Sequence, residues 1–153
     1  MSDHRAIIRW RQPSPDFLKG RYSRAHTWTF DGGLTVAGSP APGNAPTAFI
    51  NPAAVDPEEA FVAALSSCHM LTFLFVAYKE GFAIESYEDE AVGVMTKNEK
   101  GIPWVSTVTL HPKIVYAANR LPSPAEQEHL HHLAHEECII ANSVKTEIQI
   151  VPV

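Results

Sequence analysis

The sequence predicts an α+β fold in which short strands flank one long, buried central helix and a second helix. Segments of alternating polarity, typical of half-buried strands, precede, separate and follow two helical segments. Each helical segment begins with a helix-capping pattern. This order of strands and helices is typical of α+β proteins. The 153 residues match an ordinary domain in length, so we expect a single domain over residues 1–153.

The N-terminal part of the chain predicts a β-hairpin. Residues 7–10 fit a short strand, and residues 22–30 alternate between two sets of side chains. The Asp31-Gly32-Gly33 sequence then favours a tight turn into a strand over residues 34–37. The proline-rich stretch 39–55 is expected to be a loop.

The long helix is predicted to begin directly after Asp56. Asp56 is a good N-cap, Pro57 suits the first helical position, and Glu59 completes a capping box. The helix is expected to run through Glu80, with Gly81 as its C-terminal stop.

Residues 60–78 of this helix are apolar on nearly every side, which is typical of a helix buried all round. A membrane span is the alternative, because about 20 apolar residues suffice for one. Four polar residues dilute the run and its flanks are typical of soluble strands, so we expect no membrane partner. A domain this small cannot cover such a helix alone, and we therefore expect an intertwined homodimer.

The second half of the chain predicts further strands and a shorter helix. Ser123 and Glu126 form a second capping box. Pro112 interrupts the strand before it or confines that strand to a sheet edge. The predicted elements are strands over residues 87–96, 104–110 and 144–151, a turn at residues 98–101 and a helix from Ser123 to about Cys138.

Charge and the N-terminal sequence exclude some classes of partner. The net charge is −5 and no lysine–arginine cluster is long enough to follow a phosphate backbone, which argues against nucleic acid. The N-terminus lacks the apolar core and cleavage site of a signal peptide, so we expect a cytoplasmic protein.

The two cysteines, Cys68 and Cys138, allow three interpretations in a reducing compartment: inert buried thiols, a metal site or a redox couple. Cys68 falls in an apolar stripe in the middle of the long helix, where burial would make a thiol unreactive. A nucleophilic Cys68 therefore requires a cation from elsewhere in the fold.

Arg24 is the candidate for that cation. Together with His26 it shares one face of the predicted strand with three aromatic residues, and arginine is almost never buried without a partner. A structural pairing or a solvent-facing position is the alternative interpretation. Glu58 is a candidate partner for Arg24, although acids in a first helical turn also serve simply to complement the helix dipole.

Zinc is a further alternative, because Cys138 ends a histidine-rich segment. His135 and Cys138 are three residues apart on one helical face, as metal ligands can be, and Cys68 would be a third ligand. No Cys-x-x-Cys or His-Glu-x-x-His motif accompanies them, and histidines on an exposed helix face are usually only solvated. We therefore expect no metal and no cofactor.

Two motifs resemble the OsmC/Ohr family of thiol peroxidases over about residues 50–153. The stretch Asp56-Pro-Glu-Glu-Ala-Phe-Val-Ala-Ala-Leu-Ser-Ser-Cys68-His69 is similar to the family signature, in which a proline–glutamate pair comes ten residues before a helical cysteine. The stretch Ala134-His-Glu-Glu-Cys138-Ile-Ile-Ala-Asn142-Ser resembles the motif of the second cysteine. Where the family often has proline after that cysteine, this chain has Ile139.

The resemblance implies reduction of organic hydroperoxides. Cys68 would attack the peroxide and become a sulfenic acid, and Cys138 would condense with it to a disulfide. A dithiol, either a lipoylated protein or a small thiol, would then reduce the disulfide. In the family an arginine stabilises the thiolate and a glutamate orients that arginine. Glu58 matches the glutamate, while Arg24 is our choice for the arginine from strand polarity, with Arg21 second.

Glu58 precedes Cys68 by ten residues, which is about 15 Å along a helix, so it cannot serve the cysteine of its own helix directly. Antiparallel pairing of two copies would bring the start of one long helix towards the middle of the other. We therefore expect an obligate homodimer with Glu58 shared between subunits. The alternative is an OsmC-like protein without peroxidase activity that holds an apolar ligand in the dimer cleft.

Overall fold

The computed structural model describes residues 2–117 and 120–153 and shows the expected α+β architecture. Its contacts divide the chain into two compact units, residues 1–60 and 61–153, and the single-domain expectation stays a prediction. The elements are β1 (Ala6–Arg9), β2 (His26–Phe30), β3 (Thr35–Gly38), α1 (Pro57–Lys79), β4 (Ile84–Asp89), β5 (Val92–Lys97), β6 (Pro103–Leu110), β7 (Pro112–Tyr116), α2 (Pro124–Glu137) and β8 (Glu147–Ile150), with 3-10 turns at Phe17–Lys19, Thr47–Phe49 and Ala141–Ser143.

The first unit contains an antiparallel sheet in the order β1-β2-β3. The predicted hairpin is confirmed, since the Gly33 amide closes the turn on the Phe30 carbonyl at 2.9 Å. The prediction of a strand from residue 22 is wrong, because β2 begins only at His26. The Arg24 amide donates instead to the Phe49 carbonyl at 2.9 Å, so this part of the chain pairs with a loop.

The two ends of α1 form as the local sequence predicts. The Asp56 amide donates to the Glu59 carboxylate at 2.9 Å, and the Glu59 amide donates to the Asp56 carboxylate at 2.8 Å. Gly81 has a φ of 80°, and the amide of the following Phe82 donates to the Ala77 carbonyl at 2.9 Å. The Gly81 amide also donates to the Tyr78 carbonyl at 3.2 Å, and these two C-terminal bonds form a Schellman motif that ends the helix one residue earlier than predicted.

The second unit contains two sheets, β4-β7 and β5-β6-β8, with β8 parallel to β6. The predicted single strand over residues 87–96 is wrong, because β4 and β5 belong to different sheets. The Asp89 carboxylate lies at the break, where it accepts hydrogen bonds from the Ser66 hydroxyl and, at 2.6 Å, from the His111 amide. Pro112 begins β7, a position at which its missing N–H breaks no ladder.

The core of the second unit forms on one side of α1 only. Leu71, Phe75 and Tyr78 follow one another at helical spacing and are 60, 53 and 73% exposed, so the prediction of burial on every side does not hold within one chain. Among the described residues, α1 is the one helix long and apolar enough to cross a membrane by length and composition. The buried clusters are Phe73, Val76, Ala77, Phe82, Leu130 and Ala134, and separately Leu65, Val108 and Leu110.

Candidate active site

The structure brings Cys68 and Cys138, 70 positions apart in the sequence, close together. Cys68 lies in the middle of α1 and is partly exposed. Its sulfur accepts a hydrogen bond from the Ile140 amide at 3.4 Å. The Cys138 side chain lies near enough to Cys68 for Cys68 to raise the pKa of Cys138. Both cysteines are free thiols.

Cys138 is the C-cap of α2 and is only 1% exposed. Burial and the hydrogen bond with Cys68 raise the pKa of Cys138 to about 11. The Ala141 amide donates to the Cys138 sulfur at 3.4 Å and offsets part of that effect. Cys138 is therefore a protonated thiol at neutral pH, and its S–H can donate to the Cys68 sulfur.

The turn after α2 is held in place by hydrogen bonds of its own. The Asn142 amide and side chain both donate to the Cys138 carbonyl, at 3.1 and 3.0 Å. The Asn142 side chain also donates to the Glu136 carbonyl at 2.8 Å, and the Ser143 hydroxyl donates to the Ile139 carbonyl at 2.8 Å. These bonds fix the direction of the amides that face the two sulfurs.

Arg24 lies in the first unit and is half-buried there. Its guanidinium carbon is 4.3 Å from the centre of the Tyr22 ring, and it donates to the Tyr22 carbonyl at 3.2 Å. No ion pair joins Arg24 to Glu58 anywhere in the described residues. Arg24 was chosen because it was expected to share one face of a strand with His26 and three aromatic residues. This reason no longer applies, because Arg24 precedes β2. Its role and that of the exposed Arg21 stay predictions.

Glu58 lies in the first turn of α1, as predicted. One carboxylate oxygen accepts a long hydrogen bond of 3.5 Å from the Asn44 side chain. The other oxygen, Oε2, is buried and has no partner within the described part of the chain. A buried carboxylate oxygen without a donor is costly, so the single chain leaves this group incomplete.

Two buried histidines beside the cysteines were missed in the sequence. His69 follows Cys68 on α1 and His131 lies on α2, with 1% and 4% exposure. Their rings stack with centres 5.5 Å apart and an angle of 8°, and His69 Nε2 lies 3.2 Å from His131 Nδ1. The only signal in the sequence was His69, a histidine within an apolar helix. His131 could not be told apart from the exposed histidines next to it in the sequence.

Burial lowers the pKa of both histidines to about 4, and for His69 the charges of His131 and His135 contribute further. The folded protein therefore holds both rings neutral at pH 7. This hydrogen-bonded pair joins α1 to α2, the two helices that carry the cysteines.

We expect the free energy of unfolding to fall as the pH is lowered from about 6.5 to about 4. In this window the unfolded chain protonates both histidines, whereas the folded chain keeps them neutral, so acid favours the unfolded state. Each histidine contributes a loss on the order of 3 kcal/mol. Urea unfolding at about pH 6.5 and at about pH 4 measures this loss in the free energy of unfolding.

The variant His131→Phe removes one titrating ring and should lose less stability on acidification than the wild type. The exposed His129 provides the matched control, and His129→Phe should leave the acid-dependent loss unchanged. The same acid-dependent loss in wild type and His131→Phe would contradict the assignment.

The structure gives no support to the zinc alternative. Within residues 2–117 and 120–153, no group of three or more histidine, cysteine, aspartate or glutamate side chains is arranged to hold a metal ion. His135 and Cys138 lie at the same end of α2, where the Cys138 amide donates to the His135 carbonyl at 3.3 Å.

Comparison with known proteins identifies relatives of the whole chain. The family model described as "OsmC-like protein" matches residues 50–152, which include both cysteines. An OsmC-like protein of unknown function from Vibrio cholerae is 49% identical, with a TM-score of 0.95 and 100% of both chains covered. No curated protein sequence matches at a significant level.

Two more distant structures share the fold. The organic hydroperoxide resistance protein OhrB of Bacillus subtilis is 20% identical, with a TM-score of 0.71 and 99% of this chain and 98% of that chain covered. The organic hydroperoxide resistance protein OsmC from Legionella pneumophila is 17% identical, with a TM-score of 0.67 and 99% and 97% covered.

Proposed function

The chain belongs to the OsmC-like protein family, and on that basis we propose that it is a thiol peroxidase that reduces organic hydroperoxides. The observation that carries the proposal is the closeness of Cys68, in the middle of α1, to Cys138 at the end of α2, where the Ile140 amide donates to the Cys68 sulfur. Two structures with the same fold are named as organic hydroperoxide resistance proteins, which supports the same substrate class.

The partly exposed Cys68 is the nucleophile in this proposal, and the buried Cys138 is the resolving thiol. The Cys68 thiolate attacks one peroxide oxygen, the O–O bond breaks, and the alkoxide leaves as an alcohol after taking a proton. Cys68 then carries a sulfenic acid. The Cys138 sulfur attacks the Cys68 sulfur, a disulfide forms and water leaves. A dithiol reductant, a lipoylated protein or a small thiol, returns both cysteines to thiols, and no cofactor takes part.

The proposed enzyme is a homodimer that acts in the cytoplasm. The exposed stripe Leu71, Phe75 and Tyr78 gives α1 an apolar face for the same helix of a second copy. The unpartnered oxygen of Glu58 supports a role for this residue across that interface, where it would orient the thiolate-stabilising arginine, Arg24.

The test is the mass of the reduced protein after one equivalent of an organic hydroperoxide. We expect the wild-type chain to lose two hydrogen atoms as the Cys68–Cys138 disulfide forms, because the thiols are already close together. The Cys138→Ser variant should gain one oxygen atom instead, since its sulfenic acid has no resolving thiol. Cys68→Ser should not change in mass, and an unchanged wild-type mass would contradict peroxidase activity.

A second candidate function is the binding of an apolar ligand without peroxide chemistry. The first unit contains a cavity of about 390 Å³ lined by aromatic and aliphatic side chains together with Arg24 and His26. Trp10, Phe17 and Tyr22 form its aromatic wall, with ring centres 4.4 to 5.9 Å apart. A ligand-binding protein of this kind would keep both thiols after the peroxide treatment, so the same mass measurement separates the two functions.

A further inference from the structure

One short segment of the chain surrounds the sulfur of Cys68. This resolving segment, residues 138–141, follows α2 directly and includes Cys138. The Ile140 amide donates to the Cys68 sulfur at 3.4 Å, and the Cys138 thiol lies near enough to Cys68 for its own pKa to be raised by it. The Ala141 amide donates to the Cys138 sulfur at 3.4 Å. The Cys68 sulfur thus accepts a hydrogen bond from this turn and has the Cys138 thiol of the same turn nearby.

We propose that the resolving segment activates Cys68, because the Ile140 amide and the Cys138 thiol both donate hydrogen bonds to its thiolate. The inference rests on the proposed peroxidase function and assigns the backbone of residue 140 a direct contact with the reacting sulfur. Hydrogen bonds to a charged form favour that form, so both donors would stabilise the thiolate that attacks the peroxide. Cys68 lies far from either end of α1 and receives no help from the helix dipole.

The donors are fixed before any peroxide arrives. Ile140 has helical angles, φ −68° and ψ −40°, and is the N-cap of the 3-10 turn Ala141–Ser143. The side chain of Asn142 ties this turn to the end of α2 through the carbonyls of Glu136 and Cys138. Donors held in place stabilise a negative charge without the cost of reorienting them. The turn that contains the resolving Cys138 therefore also stabilises the thiolate of the attacking Cys68.

The test removes a single N–H from the full-length chain. Because the last sixteen residues begin with Cys138, a synthetic peptide of residues 138–153 can be ligated to residues 1–137 and the product refolded. An ester in place of the amide between residues 139 and 140 deletes the Ile140 donor and weakens the Ile139 carbonyl, which accepts from the Ser143 hydroxyl. The matched control is an ester between residues 138 and 139, which weakens the Cys138 carbonyl in the same way but removes an Ile139 amide that has no acceptor in the described part of the chain.

The readout is the rate of Cys68 alkylation by iodoacetamide as a function of pH, followed by peptide mass. At about pH 7 the 139–140 ester should react about fivefold more slowly than the all-amide protein, because its Cys68 thiolate has lost the hydrogen bond from the Ile140 amide. At a high pH, where both proteins react as thiolates, the 139–140 ester should react as fast as the all-amide protein or faster, since a less stabilised thiolate is more nucleophilic. A general loss of packing would not produce a variant that reacts more slowly at about pH 7 and as fast or faster at high pH.

A recombinant comparison decides the question if the 139–140 ester does not fold. Cys138→Ala deletes the S–H donor, whereas Cys138→Ser keeps an O–H donor at the same place, so Cys68 should react about threefold more slowly in the alanine variant at about pH 7. Equal rates for the two esters, or for the two Cys138 variants, would overturn the proposal. Alkylation needs no peroxide, so a failed peroxide test with these differences present would contradict the peroxidase function alone.

Discussion

Mixed dimers of Cys68→Ser and Glu58→Ala subunits are expected to recover about half the activity of the wild-type dimer, although Cys68→Ser alone is inactive and Glu58→Ala alone is strongly impaired. In the proposed dimer, Glu58 of one copy serves the Cys68 site of the other. In a mixed dimer, one site then contains wild-type Cys68 from one subunit and wild-type Glu58 from the other. The second site contains both substitutions. The unpartnered, buried Oε2 of Glu58 is the structural reason to expect this sharing.

The Glu58→Ala subunit alone should be about a hundredfold slower in hydroperoxide reduction, the size of effect seen when one partner of a buried charge pair is removed. Glu59→Gln is the matched control, because it removes a charge from the same helical turn while its amide oxygen can still accept from the Asp56 amide. Co-refolded, separately tagged subunits allow the mixed dimer to be purified and assayed. An inactive mixed dimer of verified composition would show that each chain builds its own site.

Replacing Arg24 with alanine is expected to slow hydroperoxide reduction about a hundredfold, because the thiolate of Cys68 would lose its cation. In the structure the guanidinium lies over the Tyr22 ring and takes part in no ion pair with Glu58 among the described residues. Arg24→Lys should recover part of the rate, since lysine keeps the charge but not the planar fork.

The exposed Arg21 provides the control for this prediction. Arg21→Ala should reduce the peroxide at the wild-type rate, and unfolding curves should show that both variants are folded. If Arg21→Ala is inactive and Arg24→Ala is not, the two assignments must be exchanged. Measuring iodoacetamide alkylation of Cys68 beside peroxide reduction separates the loss of thiolate from the loss of substrate positioning.

The ends of the two helices could be predicted from the sequence because their interactions are local. Asp56 bonds with Glu59, and Ser123 bonds with Glu126, each within three residues. The sheets depended on distant contacts and were predicted less well. The break between β4 and β5 coincides with Asp89, whose carboxylate binds groups of Ser66 and His111, 23 and 22 residues away.

The sequence by itself determined the fold class and, through two motifs, the candidate cysteines and Glu58. Only the tertiary structure decided which groups surround those cysteines. The Ile140 amide is a backbone donor that no residue type reveals, and it meets Cys68 72 positions away. The contact between His69 and His131 likewise joins separate helices. Such contacts arise when apolar packing brings distant elements together, and residue spacing along the chain carries no record of them.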